Sequence, residues 1–276
     1  LSDKKAIILL GPRQVGKSTL MQMMSTALPK PIVWWDGDEA DIRVMLQQPT
    51  SAKLKTFIGN NKTVVIDEAQ RIENIGVCLK LITDKDVKVI ATGSSSFELA
   101  NKINEPLTGR KWQYNLYPLS FGEMVRHTSL MEEQRLLEHR LIYGYYPEIV
   151  ISETDKDIRL KELADSYLYK DILIWGRIQK PDKLEKLVQA LAFQVGQMYS
   201  NYELGQVCGL NSETVESYIQ LLEKAFIVFR LPSYNRNQRN ELKKSYKIYF
   251  YDNGIRNAVI NQFASVHLRN DIGQLW

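Results

Sequence analysis

The stretch Gly11–Thr19 reads GPRQVGKST, and it constrains the fold more than any other part of the chain. It meets the pattern G-x-x-x-x-G-K-[ST] at Gly11, Gly16, Lys17 and Ser18. The apolar run AIILL precedes it, and KSTLMQMMSTAL, which has helical character, follows it. A buried strand, a glycine-rich loop and a helix in that order make a cradle for phosphate. The glycines let several N–H groups aim at one anion, and the helix adds its positive end. Gly11, Pro12, Arg13, Gln14, Val15, Gly16, Lys17, Ser18 and Thr19 are the candidate nucleotide-binding residues. Lys17 is placed to reach the β/γ oxygens and counts as catalytic. Ser18 offers its hydroxyl to Mg²⁺.

The rest of the first 125 residues fits that start. PIVWWD, KTVVIDEA and VKVIATGSS read as further strands, and EADIRVMLQQ, AKLKTFIG and GVCLKLITD as helices. GRKWQYNLYPLS reads as a fifth, longer strand or a hairpin arm. Alternation of this kind predicts an α/β P-loop fold with a parallel sheet covered on both faces. The strand TVVID ends in Asp67, where a carboxylate can hold the Mg²⁺ shell. Glu68 follows and should point to the other side of the strand, where it suits a base for an attacking water. The fourth strand ends in the hydroxyls Thr92, Ser94 and Ser95, at the edge where open parallel sheets bind ligands. Ser94 is the candidate sensor of the γ-phosphate. Arg110, in LTGRKW, is the candidate cation on the transferring phosphoryl group, in cis or from a neighbouring copy, with Arg13 as an alternative.

Composition excludes several classes. An apolar fraction of 44% and a charged fraction of 25% are those of a globular protein, and the longest apolar runs are too short to span a bilayer. Two cysteines, Cys78 and Cys208, and three histidines in no ligand-like spacing argue against zinc and for a reducing cytoplasm. The chain opens on Leu1 without a signal-like segment, which reads as a trimmed N-terminus. The net charge of +4 is unevenly placed. In residues 226–250, Arg230, Arg236, Arg239, Lys243, Lys244 and Lys247 face one acid, Glu241, so that segment is +5 and the remainder −1.

Beyond residue 125 the pattern becomes helical, with Leu, Ile and Tyr at helical spacing in QRLLEHRLIYGYY, LKELADSYLYKDIL and DKLEKLVQALAFQVG. ELGQVCGL then reads as a short helix ending near Gly209. Asn211 and Ser212 can cap the next, with Thr214–Ala225 as its body and Val215, Ile219, Leu222 and Phe226 as its apolar strip. That is a helix-turn-helix. FIVFRL and YKIYFYD flank the basic segment like the strands of a wing, with Tyr234, Tyr246 and Tyr249 interleaved among the cations. The expected organisation is a nucleotide-binding core at 1–125, a helical linker or lid at 126–180, a winged helix-turn-helix at 181–260 and a further segment at 261–276.

Seven motifs in order, GPRQVGKST, VVIDEAQ, ATGSSSFEL, LTGRKWQYNLYPLSFGEM, YGYYPEIV, SYLYKDIL and KIYFYDNGIRNAV, resemble the prokaryotic AAA-type ATPases that carry a C-terminal domain of unknown function. The likeness runs over nearly the whole chain. It implies a core of the additional-strand, catalytic-glutamate type, in which a further strand separates the phosphate-loop strand from that of Asp67. It also implies ATP or ADP with Mg²⁺, and a winged helix after the core. Relatives in that family continue past a G-x-L-W-E-N segment into a restriction-endonuclease-like lobe. Here DIGQLW ends at Trp276, so 261–276 reads as the start of a truncated C-terminal domain, and no nuclease role falls on a residue present. Ser94 stands where many AAA-type proteins carry a polar sensor, usually Asn.

Three functions compete at this point. One is an ATPase that couples hydrolysis to movement of the winged helix, and Glu68 beside Asp67 favours it. A small-molecule kinase would need an Arg-rich lid, and residues 126–180 are instead helical and apolar with scattered charge. The third is a nucleotide-regulated switch with little turnover. Its partner would be double-stranded DNA, through 226–250, or a protein. A homo-oligomer is required only if Arg110 acts in trans.

Overall fold

The computed structural model describes residues 5–94, 102–103, 106–166, 172, 178, 180–232 and 246–275. The chain divides into two compact units, Leu1–Leu116 and Tyr117–Trp276.

In the first unit the order is β1 (Ala6–Leu10), α1 (Lys17–Ser25), β2 (Ile32–Asp36), α2 (Ala40–Gln47), α3 (Ser51–Ile58), β3 (Thr63–Asp67), α4 (Ile75–Thr83), β4 (Lys88–Gly93) and β5 (Lys111–Asn115). The sheet order is β2-β3-β4-β1-β5, with every pairing parallel. β4 therefore lies between the phosphate-loop strand β1 and the Asp67 strand β3, which is the additional-strand arrangement. GRKWQYNLYPLS forms no hairpin arm. Only Lys111–Asn115 is strand, and it pairs parallel to β1.

Burial explains the order. β1 and β4 are buried at every residue, and β3 at all but its last. Strands covered on both faces need such continuous apolar runs. β2 and β5, at the sheet edges, keep most of their residues partly or fully exposed. Register brings Ile7, Ile90 and Val65 into one row across three strands. Met21 and Leu28, from α1 and just beyond it, pack with that row. α1 is thereby seated over β1, β3 and β4, with its N-terminus at their carboxyl ends.

The second unit holds α5 (Phe121–His127), α6 (Leu130–Arg135), α7 (Leu137–Tyr143), α8 (Pro147–Ile151), α9 (Lys156–Asp165), α10 (Pro181–Phe193), α11 (Asn201–Cys208), α12 (Ser212–Lys224), β6 (Val228–Pro232), β7 (Tyr246–Phe250), α13 (Asn253–Val259) and α14 (Ile272–Leu275). α11 stops at Gly209, whose φ of 66° is the left-handed conformation that ends helices, and Asn211 caps α12 by accepting from the Thr214 N–H at 2.7 Å. Val215, Ile219 and Leu222 form the buried face of α12, while Phe226 lies beyond the helix at φ 59°. β6 and β7 pair antiparallel from Val228↔Phe250 to Pro232↔Tyr246.

The compact units divide at 116/117, ahead of residue 125 where the expected core ends, because Tyr117 stacks on Tyr251 at 5.0 Å and the Leu119 N–H donates to Tyr145 O at 3.0 Å. The expected lid and helix-turn-helix share one core, in which Leu160 and Leu163 join Leu187, Leu191, Ile219 and Ile248. The described part of 261–276 starts no separate domain. Arg256 on α13, 1% exposed, donates to Ala192 O at 2.8 Å and to Asp271 at 2.5 Å. Arg269 donates to the same Asp271 at 2.8 Å and to Asn257 Oδ1 at 2.9 Å. Hydrogen bonds from Arg269, then from Arg256, hold the Asp271 carboxyl well below its ordinary range. No helix among the described residues is long and apolar enough to cross a membrane.

Candidate nucleotide site

The loop after β1 turns sharply at the carboxyl edge of the sheet, tied by the Gly11 N–H to Gly93 O at 3.2 Å. Gln14 and Gly16 both have positive φ, 56° and 95°. Gly16 is the N-cap of α1, and a side chain there would be strained at that angle. Alternation of this kind curls backbone N–H groups toward a common concavity, at the positive end of a helix. Val15, inside the loop, is buried. Lys17, 5% exposed, folds back so that Nζ donates to Gly11 O at 3.0 Å and Pro12 O at 2.7 Å. A cation thereby sits at the crown of the loop.

Arg13, Gln14, Gly16, Lys17, Ser18 and Thr19 line a cleft of about 400 Å³ together with Asp38 and Glu68. Ser18 Oγ donates to Asp67 Oδ2 at 2.5 Å across 49 residues of sequence. The other Asp67 oxygen accepts from Thr92 Oγ1 and, at 3.1 Å, from the Glu68 N–H. The donor set at this point is hydroxyl and carboxylate oxygen, which suits a hard cation such as Mg²⁺. The residues therefore fit the ion, with Ser18 and Asp67 as the pair that would hold it.

Glu68 does not occupy the opposite face of the strand. β3 ends at Asp67, and Glu68 takes φ 44° and ψ 42°, a left-handed conformation rare outside glycine. That turn brings its carboxylate to the cleft wall. Strain of this sort concentrates at functional positions. The turn is crowded as well: a Cβ on Gly37 would stand 2.4 Å from Glu68 O, so the loop after β2 closes over Glu68 only because residue 37 is glycine.

Ser94 is 1% exposed and lies off the cleft wall, behind Gln70, from whose Nε2 it accepts at 3.0 Å. Ser95 lies outside the described residues. Arg110 is not brought to the site. It precedes β5, its carbonyl accepts from the Ala6 N–H at the start of β1, and its guanidinium pairs with Asp84. That is the amino edge of a parallel sheet, a full strand length from the phosphate loop, so Arg110 cannot act in cis. Sequence reasoning missed Thr92 as a partner of Asp67, and Asp38, whose carboxylate lies 3.3 Å from Arg71 Nε. It also missed Gln70, which binds Glu68 and Ser94 together. DGDEAD after β2 and the Gln of DEAQ were the only signals for the last two, and neither has a spacing that announces a role.

In the second unit Arg230, counted in the basic segment, donates to Glu216 at 2.7 Å and to Glu223 at 2.6 Å. Its charge is matched by α12. Arg236, Arg239, Lys243, Lys244 and Tyr234 lie outside the described residues.

Residues 3–125 match the family model of an AAA domain, and residues 134–266 that of a domain of unknown function, DUF8612. An uncharacterized protein of Haemophilus influenzae is 26% identical over 243 residues, covering 83% of this chain and 58% of its own length. An uncharacterized protein of Mycobacterium tuberculosis is 26% identical over 258 residues, covering 92% and 56%. One from Methanocaldococcus jannaschii is 23% identical over 257 residues, covering 85% and 58%. The chain thus spans a little under three fifths of the length of these relatives. Among solved structures, the Aeropyrum pernix Orc1 protein in complex with DNA aligns at 12% identity and a TM-score of 0.36, over 93% of this chain and 86% of that one. So loose a superposition pairs no residues between the two. The loop, the strand order and the family match agree on the first unit: this chain carries a nucleotide-binding P-loop domain of the AAA type, joined to a domain of unknown function.

Proposed function

We propose that the first unit binds and hydrolyses ATP with Mg²⁺ at Ser18 and Asp67, releasing ADP, and that turnover moves a winged-helix element in the second unit. The observation that carries this reading is the 2.5 Å contact of Ser18 with Asp67, made beside a cleft that Glu68 also lines. The loop N–H groups and Lys17 bind and orient the phosphates. Glu68 orients a water and takes its proton. Bound at Ser18 and Asp67, Mg²⁺ supplies positive charge to the phosphoryl oxygens. MgATP turnover tests the proposal: Lys17→Ala should abolish nucleotide binding, whereas Glu68→Gln should keep it and lose turnover. Equal turnover by Glu68→Gln and the native chain would reject hydrolysis and leave a nucleotide-regulated switch.

The winged-helix reading is supported by α11, the Gly209 turn, α12 and the β6–β7 pair. For its partner, the pairing of Arg230 with Glu216 and Glu223 favours a protein over DNA, because α12 offers Glu213 and Lys224 on its exposed side rather than a row of cations. Double-stranded DNA through residues 226–250 rests on the wing cations. If it binds, affinity should fall with salt, and neutralising Arg236 and Arg239 should flatten that slope by about two phosphate contacts. A zero slope selects the protein partner. Arg13 lines the cleft and is the cis cation of this reading, while Arg110 could serve only a neighbouring copy in a homo-oligomer. We place the protein in the cytoplasm because both cysteines are free and buried, and burial pushes the Cys78 thiol up to about 12.

A further inference from the structure

Gln70 is a buried polar side chain next to the cleft residue Glu68. It follows Glu68 by two residues, in the short 3₁₀ turn Ala69–Arg71, and is 1% exposed. Its Nε2 donates to Glu68 Oε2 at 2.5 Å and to Ser94 Oγ at 3.0 Å. The charge on Glu68 sets the amide's direction, since only the NH₂ end can meet a carboxylate. That direction leaves Gln70 Oε1 buried with no hydrogen-bond partner among the described residues. Buried acceptors are almost always satisfied, so an unmet one marks a demand made elsewhere on the same group. Here the demand is for two donors, one for each partner. The backbone is held as well: Lys102 Nζ donates to Gln70 O at 2.5 Å.

We propose that Gln70 is a positioning residue for hydrolysis: its amide clamps Glu68 Oε2 against Ser94 and thereby aims Glu68 Oε1 into the nucleotide cleft. The Glu68 backbone is already turned by its left-handed φ, but three side-chain torsions stay free until the carboxylate is held. The clamp removes that freedom before nucleotide arrives. It gives Ser94 a supporting role instead of contact with phosphate. An amide is the group that can do this, because hydroxyl side chains at position 70 would reach only one partner and a carboxylate would repel Glu68. The inference rests on Glu68 acting in hydrolysis, as proposed above.

The test is steady-state MgATP turnover of the full chain with Gln70→Met, which keeps length and volume, and Gln70→Glu, which keeps shape and reverses the donor edge. mant-ADP affinity and thermal melting are measured alongside. Gln70→Met should lower kcat about 10- to 100-fold, with KM and mant-ADP affinity within about twofold of native, because the loss falls on transition-state geometry rather than on binding. Gln70→Glu should lose at least as much. In a Glu68→Gln background, Gln70→Met should cost nothing further, since the group it aims is gone. If the native chain turns over and Gln70→Met matches its kcat within twofold, this inference fails alone. An affinity loss equal to the loss in kcat would also overturn it, because the amide would then support the phosphate loop. Native turnover no faster than that of Glu68→Gln would remove the hydrolysis reading, and this inference with it.

Discussion

Two groups of acids in this chain show opposite uses of the same chemistry. At the cleft, Asp67 and Glu68 are held by neutral donors, namely Ser18, Thr92 and Gln70. Those bonds fix direction and leave the charge to be offered to something else. In the second unit, Glu133 is 0% exposed and pairs at 3.0 Å with Arg140, and Asp271 accepts from both Arg256 and Arg269. Those charges are consumed inside the fold. A carboxylate buried with arginine ties elements together. A carboxylate aimed by hydroxyls and an amide beside an open cleft stays available for a cation or a proton. The difference lies in the partner and not in the acid.

Substitutions should separate the two groups. The largest effect belongs to the cleft: Glu68→Gln should reduce MgATP turnover about 10²- to 10⁴-fold while urea unfolding of the chain stays near native. A variant that lost stability instead would put Glu68 with the structural acids. The mirror experiment is Glu133→Ala, which strands a buried Arg140. It should cost about 3–5 kcal/mol in urea unfolding and leave nucleotide affinity unchanged.

A smaller effect comes from pH. His139 is held to about 4 by burial, then by the charges of Lys156 and Arg140, against an ordinary value of 6.5. Its neutral form is the one the fold prefers. Its contribution is therefore complete above pH 6.5 and drains away as pH falls toward 4, because the unfolded chain takes the proton first. His139→Gln should flatten the stability curve between those values by about 1 kcal/mol, allowing for solvent screening of a partly exposed ring. An unchanged slope would show that the ring titrates alike in the folded and the unfolded chain. The smallest effect is expected from Arg110→Ala. Arg110 and Asp84 are both 46% exposed, so the pair should be worth about 0–1 kcal/mol, and turnover of an isolated copy should not move beyond about twofold. A large loss of turnover that depends on protein concentration would assign Arg110 to a neighbouring copy.

The cleft was legible in sequence to the extent that its chemistry is local. Gly11 to Ser18 is one loop, and Asp67 with Glu68 closes one apolar strand, so spacing alone exposes them. Thr92 and Gln70 were not legible in these roles. Thr92 meets Asp67 only because β4 inserts beside β3, and Gln70 meets Ser94 across 24 residues. Arg110 misled for the converse reason. An arginine near the end of the core looks available for phosphate, yet it enters β5 from the amino edge of the sheet. In the second unit the helical periodicity was plain, but not the shared core, since Leu163 and Ile219 carry no mark of belonging together.

By itself the sequence determined the phosphate loop, the acidic strand end, the alternation that requires a parallel sheet, and the two capped helices before the β6–β7 pair. Each depends on residues within a few positions of one another, where backbone angles and apolar period act directly. The tertiary structure decided which hydroxyl holds Asp67, that Gln70 binds Glu68, that Arg110 faces away, and that residues 261–275 are tied into the second unit. Strand order and helix packing set those outcomes. Both are settled by how apolar faces are buried together, a property of the whole chain that no local segment carries.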